Sequence, residues 1–293
     1  MIKYITPTLT ALHNDHEIDV DSCLKLYDNL IANEIDGVAI FGSSGEFPHI
    51  ALSEKKKLVK AAVPYINKRM QCLIGTGGLC ASECIELSNY ALEQGADGVM
   101  AVSPYYFVLS DESIVSFFSK VATEVKGAIY IYNFPDRTGY SIKPETVLQL
   151  AQKHHNIVGI KDTIPDVGHT VELIKTVKSS LPDFEVYSGY DNNFAYNVLS
   201  GGNGCIAALS NIRPDICSAW VKSVKSKNFE SVQRYQQIFD RLMKVYSFSN
   251  PFMAAMKSVL VDKGIFVNDA VTFPYLTLDK SKKQEVRDFL KSF

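Results

Sequence analysis

No stretch of this 293-residue chain approaches the roughly 18 consecutive apolar residues that a membrane helix requires, so a soluble, non-membrane protein is expected. Cysteine is scarce: six residues are too few for a disulfide scaffold at this length, and none forms a C-x-x-C pair. Cys80 and Cys84, the closest pair, lie four apart on a predicted helix and read as packed small hydrophobes rather than half a metal site. An excess of one charge is also missing. Thirty Lys and Arg stand against 32 Asp and Glu, net −2 and scattered, which excludes a nucleic-acid binder carried by bulk charge. The opening residues Met1 to Thr8 lack the apolar run and small-residue cleavage site of a signal peptide, so a cytoplasmic location is expected. No strand-end His-x-His or helical His-Glu-x-x-His occurs, and His154 and His155 are merely adjacent, which weakens a metal-dependent hydrolase.

What is present is ordinary globular material, 46% hydrophobic and 21% charged. Short Val- and Ile-rich runs alternate with segments of helical period. Strands are predicted at 4–8, 37–41, 71–75, 98–102, 128–132, 157–161, 185–188 and 204–207, with helices at 21–33, 53–66, 82–94, 111–125, 143–152, 169–179, 192–200 and 214–225. Eight βα units describe an α/β fold, the (β/α)8 TIM barrel, over residues 1–226. Further helical patterns at 229–244, 251–263 and 280–292 make residues 227–293 a C-terminal helical appendage packed on the barrel. Ser53, Ser82 and Asp111 offer N-cap oxygens, and Gly95 and the Gly201 to Gly204 stretch mark tight returns into strands.

Catalytic groups of such barrels sit at the C-terminal ends of the strands. The sixth strand ends on Lys161, an ammonium at the mouth of an apolar barrel. It is either paired with an acid such as Asp162 or reactive, because desolvation favours a neutral amine and a neutral amine attacks carbonyls. The fifth strand offers Tyr130 and Tyr132, spaced to face the barrel and to move protons to an amine on the next strand; core packing is the plainer role of each. After the second strand, Gly42-Ser43-Ser44-Gly45-Glu46 reads as a carboxylate cradle or a plain βα turn; it lacks a P-loop lysine and a dinucleotide fingerprint. Glu46 is expected to tie this loop to backbone amides.

Gly42-Ser43-Ser44-Gly45-Glu46, Pro104-Tyr105-Tyr106, Tyr132-Asn133-Phe134-Pro135 with Thr138-Gly139, and Gly159-Ile160-Lys161-Asp162 fall in order on four predicted strand ends. This constellation resembles the dihydrodipicolinate synthase and N-acetylneuraminate lyase superfamily of pyruvate-dependent class I aldolases over nearly the whole chain. Lys161-Asp162-Thr163-Ile164 with Asp166-Val167-Gly168-His169 looks most like the 2-keto-3-deoxy sugar acid aldolases, whereas Arg137 matches an arginine that dihydrodipicolinate synthases keep near the site entrance.

The resemblance implies an imine between Lys161 and pyruvate or a 2-keto acid, proton relay through Tyr132, and a link through Ser43 to Tyr106, commonly supplied by the adjacent subunit. It further implies that Ser44 and loop amides bind the substrate carboxylate, that Ile206 and Gly189 line the pocket, and that Thr163, Asp191 and Ser249 meet sugar hydroxyls. A homotetramer is the implied assembly. The implied partners are pyruvate and a small aldehyde or the intact keto acid. No cofactor or metal is implied, since the lysine imine is itself the electron sink. Three other readings compete: 4-hydroxy-tetrahydrodipicolinate synthesis from pyruvate and aspartate semialdehyde, a metal-dependent barrel hydrolase, and a pyruvate-sensing or sugar-acid-binding protein on a retired aldolase barrel.

Overall fold

The computed structural model describes residues 1–13 and 17–293. In chain order the regular elements are β1 (Lys3–Pro7), α1 (Val20–Ala32), β2 (Gly37–Ile40), α2 (Leu52–Ile66), β3 (Gln71–Gly75), α3 (Ala81–Glu93), β4 (Gly98–Val102), α4 (Asp111–Glu124) and β5 (Ile129–Asn133). They continue with α5 (Pro135–Thr138), α6 (Pro144–Lys153), β6 (Ile157–Asp162), α7 (Val167–Lys178), β7 (Glu185–Ser188), α8 (Phe194–Leu199), β8 (Gly204–Ile206) and α9 (Pro214–Lys225). Then come α10 (Phe229–Leu242), α11 (Met253–Asp262) and α12 (Lys280–Leu290). All eight strands pair in parallel with their sequence neighbours, and β8 closes on β1, so the sheet is a complete barrel without edges. Among the described residues no helix is long and apolar enough to cross a membrane.

Strands of a parallel barrel are covered on both faces, which is why they appear in the chain as continuous apolar runs rather than as alternating ones. Every residue of β2 and β4 is buried. The C-terminal helices dock through aromatic packing: Trp220 of α9 stacks on Phe239 of α10 at 4.3 Å and meets Phe194 edge-on at 4.9 Å. Arg287 of α12 grips Asp262 of α11 with two bonds, Nε to Oδ2 at 2.7 Å and Nη2 to Oδ1 at 2.6 Å.

Each predicted strand is present within a residue or so of its expected bounds, and the helices deviate at their ends. Three expected caps are wrong. Helix α2 begins after Ala51 and α3 after Cys80, both without a side-chain cap, and α4 is capped by Ser110, whose Oγ accepts from Ser113 N; Ser53, Ser82 and Asp111 lie inside their first turns. Cys84 is buried as expected, but Cys80 is exposed at that helix start. Helix α5 is not anticipated by periodicity, because a single turn shows none. It starts on Pro135, whose fixed φ suits the first helical position, and the Thr138 hydroxyl donates to the carbonyls of Phe134 and Tyr140. The αβ return at Gly95 takes a φ of +99°, open to glycine without Cβ strain.

Candidate active site

The C-terminal ends of β2, β5, β6, β7 and β8 surround a cleft of about 380 Å³ lined by Ser43, Ser44, Tyr132, Arg137, Lys161, Thr163, Gly189, Asp191, Ile206 and Ser249, among others. Every residue to which the resemblance assigns a role, except Tyr106, therefore lies on one concavity. Tyr132 and Lys161 are directly paired positions of neighbouring strands, and both side chains turn into the barrel. Lys161 is only 4% exposed, and its Nζ lies 4.4 Å from the centre of the Tyr132 ring. No carboxylate pairs with it among the described residues. Asp162, the obvious counter-ion, follows the strand alternation to the opposite face, where Asn133 Nδ2, Thr170 Oγ1 and His169 Nδ1 occupy it at 2.9, 2.6 and 3.0 Å. The Asp162 bond holds the His169 imidazole above its ordinary pKa, against the opposing effect of burial.

The Tyr132 hydroxyl and Ser43 Oγ hydrogen-bond at 3.2 Å. Ser43 opens a single 3-10 turn, Ser43–Gly45, that carries Ser44 into the cleft. Glu46 ends this turn in the left-handed region, with φ 58°. The expectation for Glu46 was incomplete. Its Oε2 does accept from a backbone amide, Thr272 N at 2.7 Å, and also from Thr272 Oγ1 at 2.9 Å, but its Oε1 forms an ion pair with Lys257 of α11, and both side chains are 0% exposed. Lys257 Nζ also donates to the carbonyl of Ala270 at 2.7 Å. Burial lowers the Lys257 pKa and Glu46 opposes that shift.

Gly189 sits where any Cβ would fall 1.9 Å from Thr163 Oγ1, so the absence of a side chain lets β7 approach the Thr163 loop. The Thr163 hydroxyl is buried on the cleft wall with no hydrogen-bond partner among the described residues. Asp191 departs from its expected role. Its Oδ1 takes the Tyr4 hydroxyl and Leu209 N, and its Oδ2 takes the Tyr246 hydroxyl at 2.5 Å, so its oxygens are engaged by the protein rather than free for sugar hydroxyls. Burial raises its pKa. Ser249 lines the cleft while its Oγ accepts from Ala255 N at 3.1 Å. Tyr130 faces the barrel but at its opposite end, where it donates to Glu185 at 2.6 Å beside Lys3 and Gln71; a rim position for it was wrong because it lies two residues nearer the strand start than Tyr132.

Tyr106 is 85% exposed, in the left-handed region at φ 93°, and does not line this cleft. Arg137 reaches the mouth from α5, its guanidinium 5.6 Å from the centre of the Phe134 ring and without an ion pair among the described residues. Sequence reasoning missed a second chamber of about 260 Å³ beyond Ser43 and Tyr132, walled by Phe47, Tyr105, Phe134, Phe252 and Tyr275. Scattered aromatics carry no signal that they converge. It also missed Tyr4 and Tyr246, which a lone buried aspartate would demand as partners but cannot name. No group of three or more His, Cys, Asp or Glu able to hold a metal ion is found among the described residues.

Comparison with known proteins agrees with this geometry. Over 287 residues the chain is 34% identical to the "Putative 2-dehydro-3-deoxy-D-gluconate aldolase YagE" of Escherichia coli K12, covering 98% of this chain and 95% of that one. It is 32% identical over 286 residues to the "Probable 2-dehydro-3-deoxy-D-pentonate aldolase YjhH" of the same organism, again 98% and 95%. The crystal structure of YagE in complex with pyruvate superposes with a TM-score of 0.96 at 34% identity, over 100% of this chain and 98% of that one. The pattern of the dihydrodipicolinate synthetase family spans residues 1–293. With its closed barrel, its helical C-terminal part and these matches along its full length, this chain belongs to the dihydrodipicolinate synthetase family and is a lyase of that family.

Proposed function

We propose that this protein is a class I aldolase that reversibly cleaves a 2-keto-3-deoxy sugar acid to pyruvate and an aldehyde. The observation that carries the reading is Lys161: a buried amine without a carboxylate partner, set against a tyrosine whose hydroxyl already has its own hydrogen-bond partner in Ser43. On this reading Lys161 Nζ adds to C2 of the keto acid, and the C2 oxygen leaves as water to give a protonated imine. Ser44 and the loop amides hold the C1 carboxylate. Tyr132 takes the C4 hydroxyl proton while passing its own toward Ser43. The C3–C4 pair moves into the imine, the aldehyde departs, and protonation and hydrolysis of the enamine release pyruvate and the free amine. The unpartnered Thr163 hydroxyl supports a polyol substrate, as do the names of the two relatives.

Arg137 favours a second reading, condensation of pyruvate with aspartate semialdehyde, because a free guanidinium at the entrance suits a second carboxylate. A relative from Kosmotoga olearia, 32% identical over 93% of this chain and 92% of its own, is a "4-hydroxy-tetrahydrodipicolinate synthase". The deciding experiment is a panel of 2-keto-3-deoxy acids with gluconate, galactonate and pentonate skeletons, assayed for pyruvate release beside an aspartate semialdehyde condensation. We expect cleavage to dominate, and Arg137→Leu to retain most of it. A loss of about 2 kcal/mol or more in kcat/KM, the scale of a charge-assisted contact to substrate, together with robust condensation by the parent, would reverse the choice.

The relay beyond Ser43 is proposed to end on Tyr106 of a second copy in a homotetramer, since the exposed ring lines neither cleft of its own chain. Mixing inactive Tyr106→Phe with inactive Lys161→Ala protein then restores partial activity, as symmetric assembly makes sharing reciprocal. Absence of recovery after verified subunit exchange contradicts the crossover.

A further inference from the structure

One residue beyond Tyr132 and Lys161, on the outer face of the same two strands, lies a closed ring of polar side chains. Asn133 Nδ2 donates to Asp162 Oδ1 at 2.9 Å, His169 Nδ1 to Asp162 Oδ2 at 3.0 Å, Ser141 Oγ lies 3.5 Å from His169 Nε2, and Asn133 Nδ2 returns to Ser141 Oγ at 3.3 Å. Thr170 Oγ1 donates to Asp162 Oδ2 at 2.6 Å, and Asn133 Oδ1 accepts from Ile142 N at 3.1 Å. Asn133 and Asp162 are buried and are paired across β5 and β6 in the register that pairs Tyr132 with Lys161. The ring joins those two strand ends to α7 and to the loop after α5.

We propose that Asp162 is a positioning residue: by clasping Asn133 it sets the Tyr132 hydroxyl against the Lys161 amine. This rests on the proposed roles of Lys161 and Tyr132. The physical argument is one of reach. The strands end here, so little ladder bonding remains to fix their relative height: β5 and β6 stop at Asn133 and Asp162, and the last backbone bond between them is Thr163 N to Asn133 O at 2.9 Å. A buried carboxylate with three side-chain donors resists sliding because any shift strands an acceptor. Its charge is also what makes the clasp one-handed. It can accept on both oxygens, from Asn133 on one side and from Thr170 and His169 on the other, whereas an amide there must either set its NH2 against the Asn133 NH2 or reverse the Thr170 hydroxyl and the His169 tautomer.

The test is Asp162→Asn, Asn133→Asp and the exchanged pair Asp162→Asn with Asn133→Asp, each assayed for turnover of the best keto acid, for the pyruvate adduct trapped by borohydride, and for thermal midpoint. In the first single variant an NH2 faces either the Asn133 NH2 or the Thr170 hydroxyl and His169 imidazole, which must then turn from donor to acceptor; in the second, two carboxylates meet. The exchanged pair restores a donor opposite an acceptor at every contact. We expect Asp162→Asn to form the adduct as the parent does, with KM little changed, while kcat falls by about 10²-fold, the scale of a 1 Å misplacement, and the exchanged pair to recover most of kcat. A purely structural role lowers the midpoint but leaves the turnover of folded protein unchanged, and that outcome overturns the proposal. So does an exchanged pair with a parental midpoint and a kcat still about 10²-fold below the parent's, which decides the matter even where Asp162→Asn does not fold. A parent that forms no adduct instead refutes the imine at Lys161, a failure separate from that of the clasp.

Discussion

Incubated with pyruvate and borohydride, the parent protein should acquire a stable covalent adduct and the Lys161→Ala variant none, while Tyr132→Phe should acquire it and lose about 10²- to 10⁴-fold in kcat. The contrast follows from the geometry. Lys161 supplies the only proposed nucleophile, so its loss removes the electron sink and with it the reaction. Tyr132→Phe keeps the ring that lies beneath the amine and that stacks with Phe134 at 5.8 Å, and it deletes only the hydroxyl bonded to Ser43. The fold therefore persists while proton transfer fails. Intact mass and steady-state rates check both parts. An adduct surviving in Lys161→Ala moves the imine elsewhere, and a Tyr132→Phe enzyme with parental kcat reduces that tyrosine to packing.

A second large effect is expected at Lys257, far from Ser43 in the chain but coupled to its loop through Glu46. Lys257→Met leaves the Glu46 carboxylate charged and buried with only the Thr272 contacts, and uncompensated buried charges of this kind cost about 3–5 kcal/mol. Equilibrium denaturation of the variant should show a loss on that scale. Because Glu46 closes the turn that presents Ser43 and Ser44, KM for pyruvate should rise as well. Adding Glu46→Gln to Lys257→Met removes the stranded charge and should return much of the stability, since replacing both members of a buried pair is far less costly than breaking it. A single variant as stable as the parent would show that the pair contributes nothing, and an additive double variant would show that the two residues are not coupled.

Much of the architecture was legible because barrel strands and their covering helices obey local rules. The run Gly98 to Val102 is apolar throughout, the helices carry a period of 3.6, and turns such as the one at Gly95 announce themselves by composition. Helix starts were not, as Ser53, Ser82 and Asp111 show: the start is set by where the backbone leaves its extended path, which falls at Ala51, with no capping side chain, and at Ser110, which caps α4.

The sequence by itself determined the order of βα units, the strand ends on which Ser43, Tyr132 and Lys161 stand, and the family resemblance they carry. That Asp162 turns away from Lys161 was left open, because the expected sixth strand ends at Lys161, whereas β6 runs on through Asp162 and its period-two alternation separates the two side chains. Only the closed barrel decided which side chains meet. It bonded Ser43 of the loop after β2 to Tyr132 of β5, engaged Asp191 with Tyr4 and Tyr246, turned Tyr106 outward, and joined Glu46 to Thr272, 226 positions further along the chain. The physical reason is that a buried polar atom requires some partner but does not specify which one; the partner is whichever donor the packing of distant segments brings within about 3 Å.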